Sequence, residues 1–397
     1  MLPDVLIAGG GIGGLAAALA CRRAGCRVRL YERAAEFSEV GAGIQLGPNV
    51  VRVLQGWGLE AALAQVVARP DRVWARRAAD GATLASLPLA DFPQRYGAPY
   101  LCIHRADLHE LLLNVLQREQ ADSLWLHAGR ALETYEASAD SVRVRFEDGL
   151  EVEGDLLIGA DGLWSRVRAQ LLGDGPPRGT GHLAYRALVR QAELPAALRS
   201  TCVTVWLGPG LHVVQYPVRG GDWLNVVAIV EGAAPADPAH WDHAASTAEL
   251  QARLVDACAL LRELVAAVPS WRLWALNDRP PVQGAAQMAQ SRVALLGDAA
   301  HPMRPYLAQG AGMAIEDAAE LGRLLGQARE LGALIDTPVL LQRYALNRWQ
   351  RNAQVQARAA RNGRIYHLRG PVAWVRDAGL RLLGAKLMDQ PWLYGGG

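Results

Sequence analysis

The sequence predicts a mixed α/β fold, and three observations support this prediction. An apolar strand at residues 5–8 leads into a glycine-rich turn and an alanine-rich helix. A second apolar run at residues 293–296 leads into a Gly–Asp turn and then, from about Gly310, into a segment of helical periodicity. Between residues 185 and 230 the apolar period is two, which indicates a sheet. The change along the chain between strand–turn–helix segments and a segment of period two predicts an α/β domain interleaved with a second, sheet-rich domain.

Composition limits the class of protein. The 397 residues are enough for two or three domains, and 41 basic against 39 acidic residues leave a net charge of +2. This near-neutral balance argues against a nucleic-acid partner. The five cysteines show no metal-type spacing, so we expect no metal site and a reduced, cytoplasmic location. The sequence contains no apolar run of about 18 residues, which is the length that a membrane-spanning helix requires, so we expect no membrane span.

The first turn carries a nucleotide-binding pattern. Gly9, Gly11 and Gly14 fill a G-x-G-x-x-G frame between a strand and a helix. The first glycine makes the turn, the second lets the backbone approach a pyrophosphate, and the third permits close helix–strand packing. Glu32 lies 18 residues after Gly14, at the end of the second strand, where it suits a ribose diol. The context favours a dinucleotide over an ordinary glycine-rich turn, but it does not say which dinucleotide.

Later elements follow in order. Residues 41–49 are glycine-rich and are expected to line a cofactor or substrate. Arg105 opens a helix, where a cation is unfavourable for the helix dipole; a bound anion would explain it, and the alternative is a solvated surface arginine. A hairpin is predicted across Asp148-Gly149, a helical pattern over residues 244–276, and one long helix over residues 340–368. The arginines of that long helix are interpreted as a solvated face rather than an RNA patch.

The strand at residues 211–216 leaves two interpretations open. Its period of two places His212, Val214 and Tyr216 on one face, and four residues of strand span about 13 Å. The His212 imidazole and the Tyr216 hydroxyl could therefore contact opposite ends of a small ring. On spacing alone, a buried histidine and tyrosine hydrogen-bonded within a core is the favoured interpretation.

The predicted domain boundaries interleave along the chain. The nucleotide-binding domain is predicted at residues 1–71, 100–180 and 285–339, with a sheet-domain excursion at 72–99. The main sheet domain is predicted at 181–284, and a C-terminal helical region at 340–397.

Three segments together resemble a known family. They are the Gly9–Gly14 turn with Glu32, the Asp161-Gly162-x-x-Ser165-x-x-Arg168 turn, and the stretch from Gly297-Asp298 to Asp317. This trio resembles the single-component FAD-dependent aromatic hydroxylases, the group around para-hydroxybenzoate hydroxylase. Within the group, the chain looks most like 3-hydroxybenzoate 6-hydroxylases, salicylate 1-hydroxylases and 6-hydroxynicotinate 3-monooxygenases. The resemblance implies a Rossmann-like FAD-binding domain interleaved with a substrate-binding sheet.

The resemblance also implies roles for individual residues. The implied FAD contacts are Gly9, Gly11, Gly14, Glu32, Arg33, Arg105, Asp161, Asp298, Gly310, Ala311 and Gly312. The implied catalytic pair is His212 and Tyr216, which reverses the interpretation from spacing alone. The implied substrate-side residues are Gln45, Cys202, His301, Arg304 and Pro305. Pro305 stands where some 3-hydroxybenzoate 6-hydroxylases have Gln, and Gln45 stands where 6-hydroxynicotinate enzymes have His.

The implied reaction is hydroxylation of a small phenolic aromatic acid through a flavin C4a-hydroperoxide, with NADH or NADPH and O₂ as co-substrates. A 3-hydroxybenzoate 6-hydroxylase-like reaction is expected first, and decarboxylative hydroxylation of salicylate or 6-hydroxynicotinate is the alternative. Two rivals from other classes are a flavin oxidase or dehydrogenase and a non-enzymatic flavin-binding redox sensor. The relatives also imply a homodimer.

Overall fold

The computed structural model describes residues 3–39, 41–119, 123–233, 243–332 and 336–396. Numbered along the chain, its strands are β1 (Asp4–Ala8), β2 (Arg27–Tyr31), β3 (Gly43–Leu46), β4 (Arg72–Arg77), β5 (Thr83–Pro88), β6 (Leu101–His104), β7 (Leu124–His127), β8 (Leu132–Ala137), β9 (Val142–Phe146), β10 (Glu151–Gly154), β11 (Leu156–Gly159), β12 (Arg178–Arg190), β13 (Val203–Gly208), β14 (Leu211–Val218), β15 (Trp223–Glu231), β16 (His243–Ala245), β17 (Trp271–Asp278), β18 (Ala289–Gln290) and β19 (Val293–Leu295). Its α-helices are α1 (Ile12–Arg23), α2 (Pro48–Gly56), α3 (Glu60–Ala64), α4 (Phe92–Tyr96), α5 (Arg105–Arg118), α6 (Arg166–Leu172), α7 (Thr247–Arg253), α8 (Ala259–Ala267), α9 (Gly310–Glu330), α10 (Thr337–Tyr366), α11 (Gly370–Leu383), α12 (Ala385–Met388) and α13 (Pro391–Tyr394).

These elements form two compact units, each assembled from three separate stretches of chain. The first unit comprises Met1–Val40, Leu108–Arg178 and Asp278–Ala359. The second comprises Gly41–Asp107, Gly179–Asn277 and Ala360–Gly397. The mixed α/β class, the interleaving and the helical C-terminus are confirmed, whereas the boundaries drawn from the sequence stay a prediction.

The first unit is built on a sheet of order β18-β19-β11-β1-β2-β7. The pairings β19–β11, β11–β1, β1–β2 and β2–β7 are parallel, and β18 is antiparallel. A parallel sheet buries both faces, and for that reason its strands are continuous apolar runs rather than alternating ones. Helices α1 and α9 approach closely in this unit, since a Cβ on Gly322 would lie 2.8 Å from the Cβ of Ala20.

The second unit is built on a sheet of order β16-β17-β12-β15-β14-β13-β4-β5. Strand β14 lies inside this sheet, antiparallel to both β15 and β13. The buried apolar residues of these three strands include Val213, Trp206 and Val226. A separate two-stranded ladder joins β3 to β6. The sheet expected between residues 185 and 230 is therefore confirmed, and it extends further in both directions along the chain.

The helical prediction for residues 244–276 is wrong at its C-terminal end. Helices α7 and α8 are present, but Trp271 begins strand β17, which pairs with β16. The guanidinium of Arg186 on β12 lies 3.6 Å from the ring centre of Trp274, so the aromatic residues pack against a neighbouring strand. Tertiary packing of this kind overrides local periodicity, and aromatic residues favour strands.

Two further predictions are confirmed. The β9–β10 hairpin crosses Asp148-Gly149, with Arg145 opposite Glu151. The predicted long helix is α10, which spans 30 residues. Across the described part of the chain, no helix combines the length and the hydropathy needed to cross a bilayer.

Candidate functional site

The three glycines of the first turn have different physical roles. Gly9 has φ +106°, and a Cβ there would lie 2.4 Å from the carbonyl oxygen of Ala160. A Cβ on Gly14 would lie 1.9 Å from the carbonyl oxygen of Gly9. These two glycines are required by the packing of the turn. A Cβ on Gly11 would meet only Glu39, at 3.4 Å, and Gly11 has φ −72°. Protein packing therefore does not explain Gly11, and its contact with a cofactor pyrophosphate stays a prediction.

Glu32 closes this turn from the end of β2. One carboxylate oxygen accepts the Gly10 N–H at 2.6 Å and the other accepts the Ala34 N–H at 2.8 Å. Two carboxylate oxygens offer about four acceptor sites, so ribose hydroxyls can share them. The side chain is only half-buried, and Arg33 beside it is exposed. Both residues stay predicted cofactor contacts.

The Asp161 turn caps helix α6. The Asp161 carboxylate accepts the Ser165 hydroxyl at 2.5 Å and the N–H groups of Arg166 and Val167 at 2.8 and 3.2 Å. Burial raises the pKa of Asp161, and these hydrogen bonds oppose that rise. Ser165 in turn accepts the Arg168 N–H at 2.9 Å. The contacts in the structure give Asp161 a positioning role in the turn, and its link to the cofactor stays a prediction.

Arg168 is a structural residue to which the sequence assigned no role. Its side chain is buried and donates to the carbonyls of Ala299 and Ala300 at 3.1 and 2.5 Å. The same guanidinium binds Asp174 at 2.6 Å. It therefore ties the Asp161 turn to the turn that carries Asp298. The D-G-x-x-S-x-x-R pattern contained this residue, but nothing in the pattern shows which carbonyls it holds.

Asp298 stands beside the N-terminus of α9. It lies in a single 3₁₀ turn, Gly297–Ala299, and its side chain is exposed. Its Oδ1 is 3.9 Å from the position that a Cβ would take on Gly310. Ala308, just before the helix, has φ +53°, a left-handed conformation that is costly for a residue other than glycine. The first N–H groups of α9, which include those of Gly310, Ala311 and Gly312, have no partner within the helix and carry its positive dipole end.

A buried ionic network stabilises the Gly297–Ala299 turn. Asp317 is 0% exposed and accepts from His301 at 2.5 Å, from Arg348 at 2.8 Å and from Asn352 at 3.0 Å. It also accepts the Gly297 N–H at 3.2 Å. Burial alone would raise the pKa of Asp317, but His301 and Arg348 outweigh it and hold that pKa well below its usual range.

His301 was expected on the substrate side. The structure places it fully buried, with its Nε2 on Asp317, so its observed contacts are internal. Arg304 forms an ion pair with Asp278 at 2.6 Å, and Pro305 is exposed. These contacts support a structural role for His301.

In the second unit, the backbone of Gly43 on β3 forms hydrogen bonds with two polar side chains. The Tyr216 hydroxyl donates to the Gly43 carbonyl at 2.6 Å, and the Gly43 N–H donates to Asn225 at 2.7 Å. A Cβ on Gly43 would lie 2.5 Å from the Tyr216 ring, so only glycine fits. On the same strand, Gln45 accepts the Tyr100 hydroxyl at 2.5 Å. Asn225 and Tyr100 were not anticipated, because their proximity to β3 depends on the tertiary fold.

His212 is 1% exposed, and its Nδ1 lies 2.7 Å from Nε2 of His367. Burial lowers its pKa well below 6.5, and His367 and His182 lower that pKa further. Burial has the opposite effect on Tyr216, whose pKa rises above 10.0. His212 is therefore neutral at pH 7, and Tyr216 stays protonated. The Tyr216 hydroxyl donates its hydrogen bond to the Gly43 carbonyl rather than to His212.

The remaining predicted residues of the second unit lie on neighbouring elements. Arg105 opens α5, and its backbone N–H donates to the Ala42 carbonyl at 2.7 Å. Cys202 is partly exposed and directly precedes β13, whose Thr204 pairs with Gln215. The roles of both residues toward a ligand stay predictions.

The first unit fits a dinucleotide. It offers a helix N-terminus with an open Gly11, an acidic residue at the end of β2, and a second helix N-terminus beside an exposed carboxylate. Helix N-termini bind phosphate and other electron-rich groups. This constellation is typical of a dinucleotide-binding fold rather than a simple turn.

Comparison with known proteins identifies the cofactor. A family model described as an FAD binding domain matches residues 3–359. The 3-hydroxybenzoate 6-hydroxylase of Polaromonas naphthalenivorans is 39% identical over 395 residues, covering 98% of this chain and 95% of that protein. Klebsiella pneumoniae HpxO, solved with FAD and uric acid, superposes with a TM-score of 0.84 at 27% identity, covering 97% of this chain and 94% of that one. A salicylate hydroxylase substrate complex superposes with a TM-score of 0.83 at 29% identity, covering 99% and 95%.

The chain therefore belongs to the FAD-dependent aromatic hydroxylases. It is a flavoprotein monooxygenase whose cofactor is FAD, and enzymes of this class use NAD(P)H and O₂ as co-substrates.

Proposed function

We propose that this enzyme hydroxylates a small phenolic aromatic acid, and that 3-hydroxybenzoate hydroxylated at carbon 6 is the first candidate. The observation that supports the substrate most directly is the 39% identity to a 3-hydroxybenzoate 6-hydroxylase across nearly the whole of both chains. Gly9, Gly11 and Gly14 with the N-terminus of α1 hold the FAD pyrophosphate, with Glu32 on the ribose. Asp298 and the N-terminus of α9 hold the ribityl chain and the pyrimidine edge of the ring. Bound FAD supplies the chemistry that takes electrons from NAD(P)H and inserts one oxygen atom of O₂ into the substrate.

His212 is the base that removes the phenol proton. A phenolate is a far stronger carbon nucleophile than a phenol, so the ring is activated when its hydroxyl is deprotonated. His212 is neutral at working pH because its pKa is lowered, and a neutral imidazole can accept a proton. A positioned base contributes about 10²–10⁴-fold to rate.

Tyr216 is a fixed hydrogen-bonding group rather than a second base. Its raised pKa keeps the hydroxyl protonated, and its single hydrogen is donated to Gly43. The oxygen of Tyr216 can still accept a hydrogen bond from a substrate hydroxyl. Val218, on the same face of β14 as Tyr216 and 0% exposed, keeps water away from this side of the strand.

The experiment that tests the function is NADH oxidation by the FAD-loaded protein with 3-hydroxybenzoate, salicylate and 6-hydroxynicotinate. Product, carbon dioxide and incorporation of ¹⁸O from labelled O₂ are measured together. Stimulation by 3-hydroxybenzoate with ¹⁸O in the product and no carbon dioxide supports the proposal. Stoichiometric carbon dioxide with salicylate moves the assignment to decarboxylative hydroxylation, which the likeness to salicylate hydroxylase favours as the second candidate.

Two outcomes would contradict the proposal. Turnover of an aromatic acid without ¹⁸O in the product would indicate an oxidase or dehydrogenase. Slow NADH oxidation that none of the three acids accelerates would favour a flavin-binding redox sensor or a different ring substrate. We also propose a cytoplasmic location for the enzyme.

A further inference from the structure

Three side chains of the second unit have the composition of a metal site. His182, Glu231 and His367 each offer one ligand atom, and these three atoms lie within 4.8 Å of one another. They belong to β12, to the end of β15 and to the residue that directly follows α10. Because they are far apart in the chain, no spacing pattern reveals them, and the expectation of no metal site rested on the cysteines alone.

The backbone places these three side chains next to one another. His182 and Glu231 are directly opposite in the β12–β15 pairing, and opposed residues lie on the same face of a sheet. The carbonyl of His367 accepts the N–H of Gly210, in the turn that leads into β14, at 3.1 Å. The ring of His182 lies 4.7 Å from that of His367, whose Nδ1 is 3.9 Å from Oε1 of Glu231. Backbone hydrogen bonds therefore bring the three ligand atoms together.

His367 is oriented as a metal ligand. A histidine that binds a metal through one ring nitrogen almost always forms a hydrogen bond through the other. The Nε2 atom of His367 lies 2.7 Å from Nδ1 of His212, while its Nδ1 is on the side of Glu231. A metal ion on Nδ1 leaves the ring proton of His367 on Nε2, from which it is donated to His212. His367 is buried, but the Glu231 side chain is 46% exposed, so an ion can reach the cluster from solvent.

Glu231 can bind a metal ion without losing its ion pair. Arg369 donates to Oε2 at 2.5 Å, whereas Oε1 is the oxygen nearest His367. A carboxylate has two oxygens and about four acceptor sites, so both partners can be satisfied. In a tetrahedral site with metal–ligand distances of about 2.0–2.2 Å, the ligand atoms are about 3.4 Å apart. The separations of up to 4.8 Å therefore have to decrease, and rotation of the partly exposed Glu231 side chain can bring this about.

We propose that His182, Glu231 and His367 bind a divalent transition-metal ion, and that Zn²⁺ is the ion this set of ligands suits best. Two imidazoles and one carboxylate are a common ligand set for zinc, with water in the fourth tetrahedral position. The ion joins the sheet to the segment that follows α10 and thereby stabilises the folded chain. The inference goes beyond the proposed function and does not depend on it.

The test is Zn²⁺ binding by the FAD-loaded protein, from which any affinity tag and bound metal have been removed. Zn²⁺ is titrated in competition with a chromophoric chelator, and the melting temperature is measured at each concentration. We expect one ion per chain in the wild type, with a higher melting temperature. We expect at least about tenfold weaker binding in His182→Ala and in Glu231→Gln, because even the outer partners of a metal ligand contribute roughly 10–100-fold to affinity. His127→Ala is the matched control, since His127 is a half-buried strand histidine of the first unit.

A second measurement separates coordination from a change in packing. Co²⁺ is added in place of Zn²⁺, and its d–d absorption, at longer wavelengths than the flavin band, reports the coordination geometry. We expect the intense absorption of a tetrahedral site in the wild type and in His127→Ala, and its loss in His182→Ala. Equal Zn²⁺ affinity in the wild type, His182→Ala and Glu231→Gln would overturn the proposal. A wild-type melting temperature that does not respond to Zn²⁺ would overturn it as well.

Discussion

At the scale of single residues, Gly11 and Gly14 offer a direct separation of ligand binding from folding. The Gly14 position has a backbone oxygen 1.9 Å from a built Cβ, whereas the Gly11 position has room and an ordinary φ of −72°. We expect Gly11→Ala to fold with a wild-type circular dichroism spectrum and to bind FAD at least about tenfold more weakly, or about 1.4 kcal/mol. Titration of the apoprotein with FAD measures this. Gly14→Ala is the contrast and is expected to lower thermal stability without FAD present.

His212→Ala is the test of the base. We expect retained FAD and a fall of about 10²–10⁴-fold in coupled hydroxylation at neutral pH. Part of the activity should return at high pH, because the substrate hydroxyl then ionises without assistance. Product formed per NADH consumed is the measurement, and a wild-type product yield in this variant would remove His212 from its assigned role.

The lowered pKa of His212 also predicts a pH dependence of stability. In the unfolded chain this imidazole protonates near pH 6.5, whereas in the folded protein it resists protonation until lower pH. The unfolded state then binds more protons, so the free energy of unfolding decreases as the pH falls below about 6.5. Urea unfolding of wild type and His212→Gln between pH 7.5 and 5 would show a shallower acid loss in the variant.

The sequence predicts the structural role of a residue only where that role depends on neighbours close by in the chain. Gly9 and Gly14 follow from strand–turn–helix rules, and the structure shows the contacts that require them. Arg168 and His367 act on residues that are more than 100 positions away in the chain, on the Ala299 carbonyl and on His212 respectively. No periodicity or spacing specifies such partners, and for this reason sequence reasoning missed their roles.

At the scale of elements, the contact between α9, α10 and the Asp298 turn depends on one buried carboxylate. Asp317→Asn removes one of the two carboxylates that pair with Arg348 and leaves only Glu316 at 3.0 Å. Breaking a buried pair costs up to about 3–5 kcal/mol. We expect a lower melting temperature and weaker FAD retention, measured by thermal unfolding with flavin fluorescence. Glu330→Gln, at the exposed end of the same helix, is the control and should change stability by no more than about 0.5 kcal/mol.

Element boundaries show the same division between local and tertiary causes. The long C-terminal helix and the β9–β10 hairpin follow from periodicity and from Asp148-Gly149. Strand β17 does not, because Trp271 and Trp274 satisfy a helical pattern as well as a strand pattern. Only the neighbouring strand β12, with Arg186 over Trp274, decides between the two.

At the scale of the whole molecule, bound FAD should stabilise the first unit by mass action. A ligand at 100 times its dissociation constant adds about 2.7 kcal/mol to the free energy of unfolding. We expect the melting temperature of the apoprotein to rise with FAD concentration, and to rise less in Gly11→Ala. A melting temperature independent of FAD would contradict the assigned nucleotide contacts. The expected homodimer stays a prediction, and light scattering of the FAD-loaded protein would test it.

The order of strands in the first sheet has a consequence for synthesis on the ribosome. Strand β1 pairs on one side with β2 and on the other with β11, in the register Val5 to Leu156, so its second neighbour is made about 150 residues later. At roughly 5–20 residues per second, the nascent chain waits on the order of ten seconds before this pairing is available. During that interval, one edge of the apolar strand β1 has no partner. Newly made β1 is therefore expected to need chaperone protection, and pausing of translation before residue 156 should increase aggregation.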